Sequence, residues 1–175
     1  MKMKLFILLA IVLPLMGNAQ TETIPVPLDE EGTIRYVEVV QQDGDATDLF
    51  KRCVKWINKN YKNSYTVTPT RDMVNKKIVI RHRFQLQSNN EEGITVKGGT
   101  VMYDMIIRFK EGRYRAEMVN FVMKGTSKFP CENWLPDGSK PNAESLVQLN
   151  KFATEKLASL KEGMLPEKVH VEEEW

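Results

Sequence analysis

The sequence has no long hydrophobic run after residue 16. The only long apolar stretch, Leu5 to Met16, contains about a dozen residues, whereas a helix needs about 20 to cross a bilayer core. Lys2 and Lys4 precede this stretch and the small residues Gly17-Asn18-Ala19 follow it, which is the pattern of an export signal. We therefore predict a signal peptide at residues 1–19, and a soluble periplasmic or secreted protein without a transmembrane segment.

The chain also has little excess charge of either sign. It contains 25 Lys and Arg residues against 23 Asp and Glu residues, and Lys2 and Lys4 account for the whole difference. Without its leader the protein is formally neutral, whereas a general polyanion binder needs surplus basic residues to displace counterions. The composition therefore gives no support for nucleic acid as a partner.

Histidine and cysteine are scarce, at two residues each, which restricts acid-base, metal and nucleophilic chemistry. His82 lies between Ile80 and Phe84 on the apolar face of a predicted strand, a position typical of a hydrogen-bonded core or rim histidine. No residues have the spacing of a zinc site, and no Gly-x-Ser-x-Gly elbow, Walker loop or dinucleotide fingerprint occurs. We predict no catalytic residue, no metal site and no cofactor.

The two cysteines allow two interpretations. In an oxidising compartment, Cys53 and Cys131 could form a disulfide. Alternatively, Cys53 recurs with Leu49 and Ile57 at helical spacing, where a free cysteine acts as a small core side chain. Both interpretations stay open at the level of the sequence.

Hydrophobic periodicity predicts a single α+β domain at residues 33–163. Before it lies an extended leading segment at 20–32, which Pro25 and Pro27 hold open as a tether. After it lies an acidic tail at 164–175. The domain is long enough to bury its own core without cross-links.

A strand and two helices are predicted with clear boundaries. Thr33–Val40 is rich in β-branched residues and forms the first strand. The first helix begins at the capping residue Asp45 and ends near Asn60, and the second begins at Asn142 and ends at Gly163.

Between the two helices the apolar residues recur with a period of two, which predicts four consecutive strands. These strands are expected near residues 65–70, 77–87, 101–109 and 113–123. The intervening residues 88–99, and residues 125–141 after the last strand, are predicted as loops.

A two-residue turn at Glu111-Gly112 sets the register of the last hairpin. One face of this hairpin should pair Phe109 with Tyr114, Ile107 with Ala116, and Met105 with Met118. The other face should pair Arg108 with Arg115, Ile106 with Glu117, and Asp104 with Val119.

The element order predicts one antiparallel sheet with both helices on a single face. This is the half-unit of the TATA-box-binding-protein-like (TBP-like) fold. The chain resembles the exported bacterial family called domain of unknown function 4468 (DUF4468), found mainly in Bacteroides-like organisms. The matching features are the leader end Asn18-Ala19-Gln20, the strand Tyr36–Val40, the helix segments Asp48–Phe50 and Lys55–Ile57, and the hairpin Phe109–Arg115. The resemblance covers roughly residues 33–160 and implies the fold and the compartment, with no activity.

Five arginines are predicted on the sheet face that the helices leave open: Arg81, Arg83, Arg108, Arg113 and Arg115. One interpretation is a solvated salt-bridge lattice neutralised by Glu117 and Asp104. The other is an anion-binding patch for carboxylate or phosphate groups, which guanidinium groups match in geometry.

The same face is predicted to carry an apolar group, Met102, Ile106, Val119 and Phe121. Such a group needs a cover. Residues 125–141 could fold back over it, or two molecules could join through it as a homodimer.

We predict an exported, non-catalytic binding module for a protein or an anionic envelope component. The alternatives are a small periplasmic hydrolase, whose site would lie in the 88–99 and 125–141 loops, and a structural accessory to a larger assembly.

Overall fold

The computed structural model describes residues 25–89 and 92–166, so the predicted signal peptide and most of the acidic tail lie outside the described residues. One six-stranded antiparallel sheet has the order β1-β5-β4-β3-β2, and β6 pairs with the end of β5. The strands are β1 (Tyr36–Gln41), β2 (Thr70–Asp72), β3 (Lys77–Asn89), β4 (Thr95–Lys110), β5 (Arg113–Lys124) and β6 (Lys128–Pro130). The helices are α1 (Ala46–Asn60), the one-turn α2 (Ser64–Val67) and α3 (Ala143–Gly163), with a 3₁₀ helix at Cys131–Trp134.

Both long helices begin at the predicted capping residues. The Asp45 carboxylate accepts the backbone N–H groups of Thr47 and Asp48 at 2.7 and 2.8 Å, and the Asn142 amide oxygen accepts that of Ser145 at 2.9 Å. These bonds satisfy N–H groups that have no partner within the helix.

The two long helices pack side by side on one face of the sheet. Phe50 of α1 contacts Phe109 edge-on at 5.5 Å between ring centroids, and Phe152 of α3 stacks on Phe84 at 4.1 Å. The predicted α+β class, with one antiparallel sheet and both helices on one face, is confirmed. We call the opposite side of the sheet the open face.

The turn at Glu111-Gly112 forms as predicted, with Gly112 at a φ of +69°. Phe109 pairs with Tyr114 and Arg108 with Arg115, so the predicted hairpin register is confirmed. The predicted register continues as far as the pair Asp104 and Val119.

A β-bulge then changes the alternation of β5. Asn120 adopts a φ of +57°, and two β5 residues lie between the partners of Met102 and Asp104, where β4 has only one. The extra residue turns Phe121 into the core, where it is 1% exposed and contacts Tyr36 edge-on. The prediction that Phe121 lies on the open face is therefore wrong.

Two further predictions of local structure are corrected. Residues 64–67 form a helical turn instead of a strand, because the Asn63 carbonyl accepts the Val67 N–H and the Thr68 hydroxyl bonds the Ser64 carbonyl. The 88–99 segment is largely strand, since β3 and β4 extend to the pair Asn89 and Thr95.

The apolar side chains of the 125–141 segment pack into the core instead of over the predicted apolar group, and Lys128 of this segment lines a concavity beside Met102. The 3₁₀ helix of the segment contacts α3, and Trp134 and Leu135 are buried in the core. Before β1, Val26 is buried and Leu28 bridges to Ile34, so the described part of the leading segment packs onto the domain instead of acting as a tether.

Candidate functional site

Cations outnumber carboxylates on the open face. The cross-strand register places ten basic side chains there: Lys77, Arg81, Arg83, Lys97, Arg108, Lys110, Arg113, Arg115, Lys124 and Lys128. The carboxylates that share this face in the same strand pairs are Asp72, Asp104 and Glu117. A chain with a formal net charge of only +2 thus concentrates positive charge on one surface.

Glu117 lies at the centre of one charge cluster. Its side chain is 6% exposed, and its carboxylate accepts hydrogen bonds from Arg108 at 2.8 Å and from Arg35, with the Arg115 Nε at 3.0 Å. Burial alone would raise the pKa of the Glu117 carboxyl, but the bond from Arg35 and the three guanidinium charges outweigh burial and hold the pKa below its usual range. The single negative charge of Glu117 is thus shared by three guanidinium groups.

A second buried carboxylate holds Arg81. Asp104 accepts two hydrogen bonds from Arg81, at 2.8 and 3.1 Å, and a third from the Asn120 amide at 3.0 Å. Arg81 is therefore neutralised by a forked ion pair. The predicted salt-bridge interpretation thus describes Arg81, and in part Arg108 and Arg115.

The remaining positive charge lies in two separate places. The first, which we call the basic block, consists of Arg108, Lys110, Arg113 and Arg115. Arg108 lies opposite Arg115 and Lys110 opposite Arg113, so two like-charged pairs stand next to each other on one hairpin. Together with Val39 and Tyr114 these residues line a concavity of about 340 Å³, whose lining includes no carboxylate.

The second place, which we call the edge pocket, lies at the side of the sheet. β2 pairs only with residues 77–79 of β3, and beyond them the loop after α1 faces this strand. The pocket has a volume of about 410 Å³, and its lining comprises Lys62, Asn63, Thr66, Val67, Arg81, His82, Arg83, Met102 and Lys124. The five predicted arginines are thus divided between the edge pocket and the basic block.

The predicted apolar group is only partly on the surface. Met102, Ile106 and Val119 are half-buried on the open face, whereas Phe121 is in the core. Sequence reasoning missed two valines of β1, Val37 and Val39, which are 44% and 57% exposed beside Glu117 and Arg115. The alternation of these two valines with polar residues is visible in the sequence. The burial of Tyr36 on the opposite face of β1 shows that both valines point to the open face. The predicted homodimer through this surface remains a prediction.

The two segments assigned to a hydrolase site do meet. A groove of about 470 Å³ lies between them, with Gln87 and Ser88 on one side and Phe129, Trp134 and Lys140 on the other. Neither histidine nor cysteine is among the described residues that line it.

Both cysteines are free thiols in the structure, buried in the core. Burial raises the pKa of each thiol well above its usual range, which keeps both protonated. Within residues 25–89 and 92–166, no group of three or more His, Cys, Asp or Glu side chains could hold a metal ion. No helix of that part of the chain is long and apolar enough to cross a membrane.

Comparison with known proteins decides the family. A family model described as "Domain of unknown function (DUF4468) with TBP-like fold" matches residues 36–124, just over half of the chain. The chain belongs to the DUF4468 family. The predicted resemblance is confirmed, and the match runs from β1 to β5, which includes the basic block. No curated protein matches the chain.

Two crystal structures show the same fold. A TBP-like protein from Parabacteroides distasonis has 14% sequence identity and a TM-score of 0.66, over 80% of this chain and 97% of the other. A DUF4468 protein from Bacteroides ovatus has 15% identity and a TM-score of 0.66, over 83% of this chain and 93% of the other. At these identities the likeness establishes the fold alone.

Proposed function

We propose that this DUF4468 protein is an exported, non-catalytic binding module whose open face holds an anionic group of an envelope component. The observation that carries the proposal is the basic block, in which Arg108 faces Arg115 and Lys110 faces Arg113. Like charges directly opposite each other on neighbouring strands are unfavourable. A phosphate or carboxylate group placed between them would remove that repulsion and match the guanidinium geometry.

Glu117 supports this use of the surface. It fixes Arg108 and Arg115 from one side, while their side chains stay 48% and 46% exposed on the other. Guanidinium groups that are already held lose less conformational entropy when a ligand binds. The export signal pattern at residues 1–19 supports a partner outside the cytoplasm.

The test removes the charges that Glu117 does not hold. We expect wild-type protein to bind inorganic tripolyphosphate at low salt, and the Lys110→Gln/Arg113→Gln variant to bind on the order of tenfold more weakly. Arg108 and Arg115 are kept because their loss would leave the buried Glu117 short of partners. Isothermal titration calorimetry measures the affinities.

The matched control is Lys59→Gln/Lys151→Gln, which removes two exposed charges from α1 and α3 on the other side of the sheet. A second arm uses phosphatidylcholine vesicles with and without phosphatidylglycerol, which separates a lipid headgroup from a soluble phosphate. Equal loss of binding in the control and the test variant would contradict a local site, as would affinities that do not fall with added salt.

The hydrolase alternative would use the groove beside Ser88 and Trp134. Among its described residues the structure shows no nucleophile hydrogen-bonded to a base, the arrangement that such catalysis requires. The hydrolase therefore remains a prediction from the sequence.

A further inference from the structure

The edge pocket lies apart from the basic block and shares no lining residue with it. Its floor includes the apolar side chains of Val67, which is 9% exposed, and Met102, which is half-buried. Its rim carries Lys62, Arg83 and Lys124, and no carboxylate is among its lining residues. The basic block, in contrast, places four cationic side chains around a concavity of about 340 Å³, whose other lining residues are Val39 and Tyr114.

The cations at the rim are not neutralised by neighbours. Arg81 is held by Asp104, but the described residues provide no salt bridge to Lys62, Arg83 or Lys124. Three cations from three different segments therefore line one largely apolar cavity. Its volume of about 410 Å³ lies within the range of roughly 300–1,000 Å³ that small-molecule sites occupy.

We infer that the edge pocket binds a small amphiphilic anion, whose apolar body lies on Met102 and Val67 and whose carboxylate, sulfate or phosphate head meets Lys62, Arg83 and Lys124. This ligand class fits because the apolar floor favours burial of a hydrocarbon body. The charged rim favours a single anionic head. The site is separate from the one in the proposed function, and either can fail without the other.

His82 provides a reporter inside the pocket. His82 is among the residues that line the cavity, and its ring contacts Tyr61 at 5.1 Å and Tyr103 at 6.4 Å between centroids. Burial lowers the pKa of His82, and the charges of Lys156 on α3 and Arg83 on β3 lower it further. An anion bound beside the ring opposes the effect of those charges, so binding should raise this pKa.

The experiment titrates full-length mature protein, residues 20–175, with decanoate while the imidazole signals of His82 are followed by NMR. A His170→Gln background leaves one histidine, so the signal is unambiguous. Acetate provides the head without the body, and decyl maltoside provides the body without the charge. We expect decanoate to move the His82 signal and to bind at least about tenfold more tightly than either probe.

Two variants test the contacts. Lys62→Gln/Arg83→Gln should weaken decanoate at least about tenfold, and Met102→Ser should weaken it about fivefold, because part of the apolar floor is lost. The Lys110→Gln/Arg113→Gln variant should bind decanoate as wild type does.

Three outcomes would overturn the inference. Unchanged affinity in both the Lys62→Gln/Arg83→Gln and Met102→Ser variants would show that decanoate lies elsewhere. Acetate or decyl maltoside binding as tightly as decanoate would show that charge alone or apolar contact alone is sufficient. Loss of decanoate binding in Lys110→Gln/Arg113→Gln alone would place the anion at the basic block, which supports the proposed function and removes this one.

Discussion

Glu117 is a single buried carboxylate that positions several arginines of the open face. It is 5% exposed on an otherwise solvated sheet face, and it bonds arginines from β4, β5 and the segment before β1. A buried charge is tolerated only when its partners compensate for the water it has lost. Two of these partners, Arg108 and Arg115, also form the fixed part of the basic block.

Replacing Glu117 by Gln should therefore lower the free energy of unfolding. We expect a loss of about 1–3 kcal/mol, since the charge-assisted hydrogen bonds from Arg35 and Arg108 and the ion pair with Arg115 are lost and the three cations repel one another. Urea denaturation measures the change. The control Glu111→Gln, in the exposed hairpin turn, should change stability by less than about 0.5 kcal/mol. Equal effects from both substitutions would contradict the role given to Glu117.

The same carboxylate predicts a pH dependence. The pKa of Glu117 in the folded protein lies below its ordinary value of 4.5, so the unfolded chain binds the proton first as the pH falls. Its contribution is complete above about pH 4.5 and is lost as the pH falls through the folded pKa. Denaturation curves should show stability falling with pH below that value, with a smaller slope in Glu117→Gln. Identical slopes in the two proteins would exclude this residue as a source.

At the level of the strand, the bulge at Asn120 decides which side chains of the end of β5 are buried. A φ of +57° is costly for a residue with a β-branched side chain and is accessible to Asn and Gly. Asn120 also donates its amide to Asp104 at 3.0 Å, which links the bulge to the Arg81 ion pair.

Asn120→Val should accordingly destabilise the protein by about 2 kcal/mol or more, from backbone strain and the lost hydrogen bond. Asn120→Gly loses the hydrogen bond but keeps the conformation, so it should cost about 1 kcal/mol. Thermal unfolding of the two variants beside wild type provides the comparison. A valine variant as stable as the glycine variant would mean that the bulge has moved or disappeared.

Regular elements could be predicted where local signals agree. Asp45 begins α1 and Gly112 turns the last hairpin, and each acts within a few residues of itself. The predicted alternation of core-facing and open-face side chains in β5 is wrong after Asn120, because one inserted residue reverses the two faces of the strand and leaves the composition of the segment unchanged. The strand residues Gly98 and Gly99 were also not predicted, because glycine contributes little hydrophobic signal. Gly99 is nevertheless closely packed, since a Cβ at this position would lie 1.6 Å from the Met123 Cε.

At the scale of the whole molecule, the sheet separates two environments. The helical face holds the core, and the open face combines basic groups with exposed Val37 and Val39. Arg108, Arg113 and Arg115 could be predicted on this face because the register of the last hairpin follows from one turn, and Arg81 and Arg83 because the side chains of β3 alternate regularly. Their division into two sites could not, since it depends on Asp104, on the short β2 strand and on the loop after α1.

This surface makes a prediction about self-association. Two copies that meet through their open faces also bring two basic blocks together, so the predicted homodimer should strengthen as salt screens the repulsion. Sedimentation velocity at low and high salt, at high micromolar protein, measures the effect. A monomer under both conditions would contradict the predicted homodimer.

The two buried thiols can also report how fast the core opens. Cys53 on α1 and Cys131 on the 3₁₀ helix are both 0% exposed, so a thiol reagent can react only when the surrounding structure opens. Labelling followed by mass spectrometry would thus measure how fast the core opens around α1 and around the 3₁₀ helix. Equal rates at the two positions would mean that the core opens as one unit, and a faster rate at Cys131 that the segment after β6 opens first.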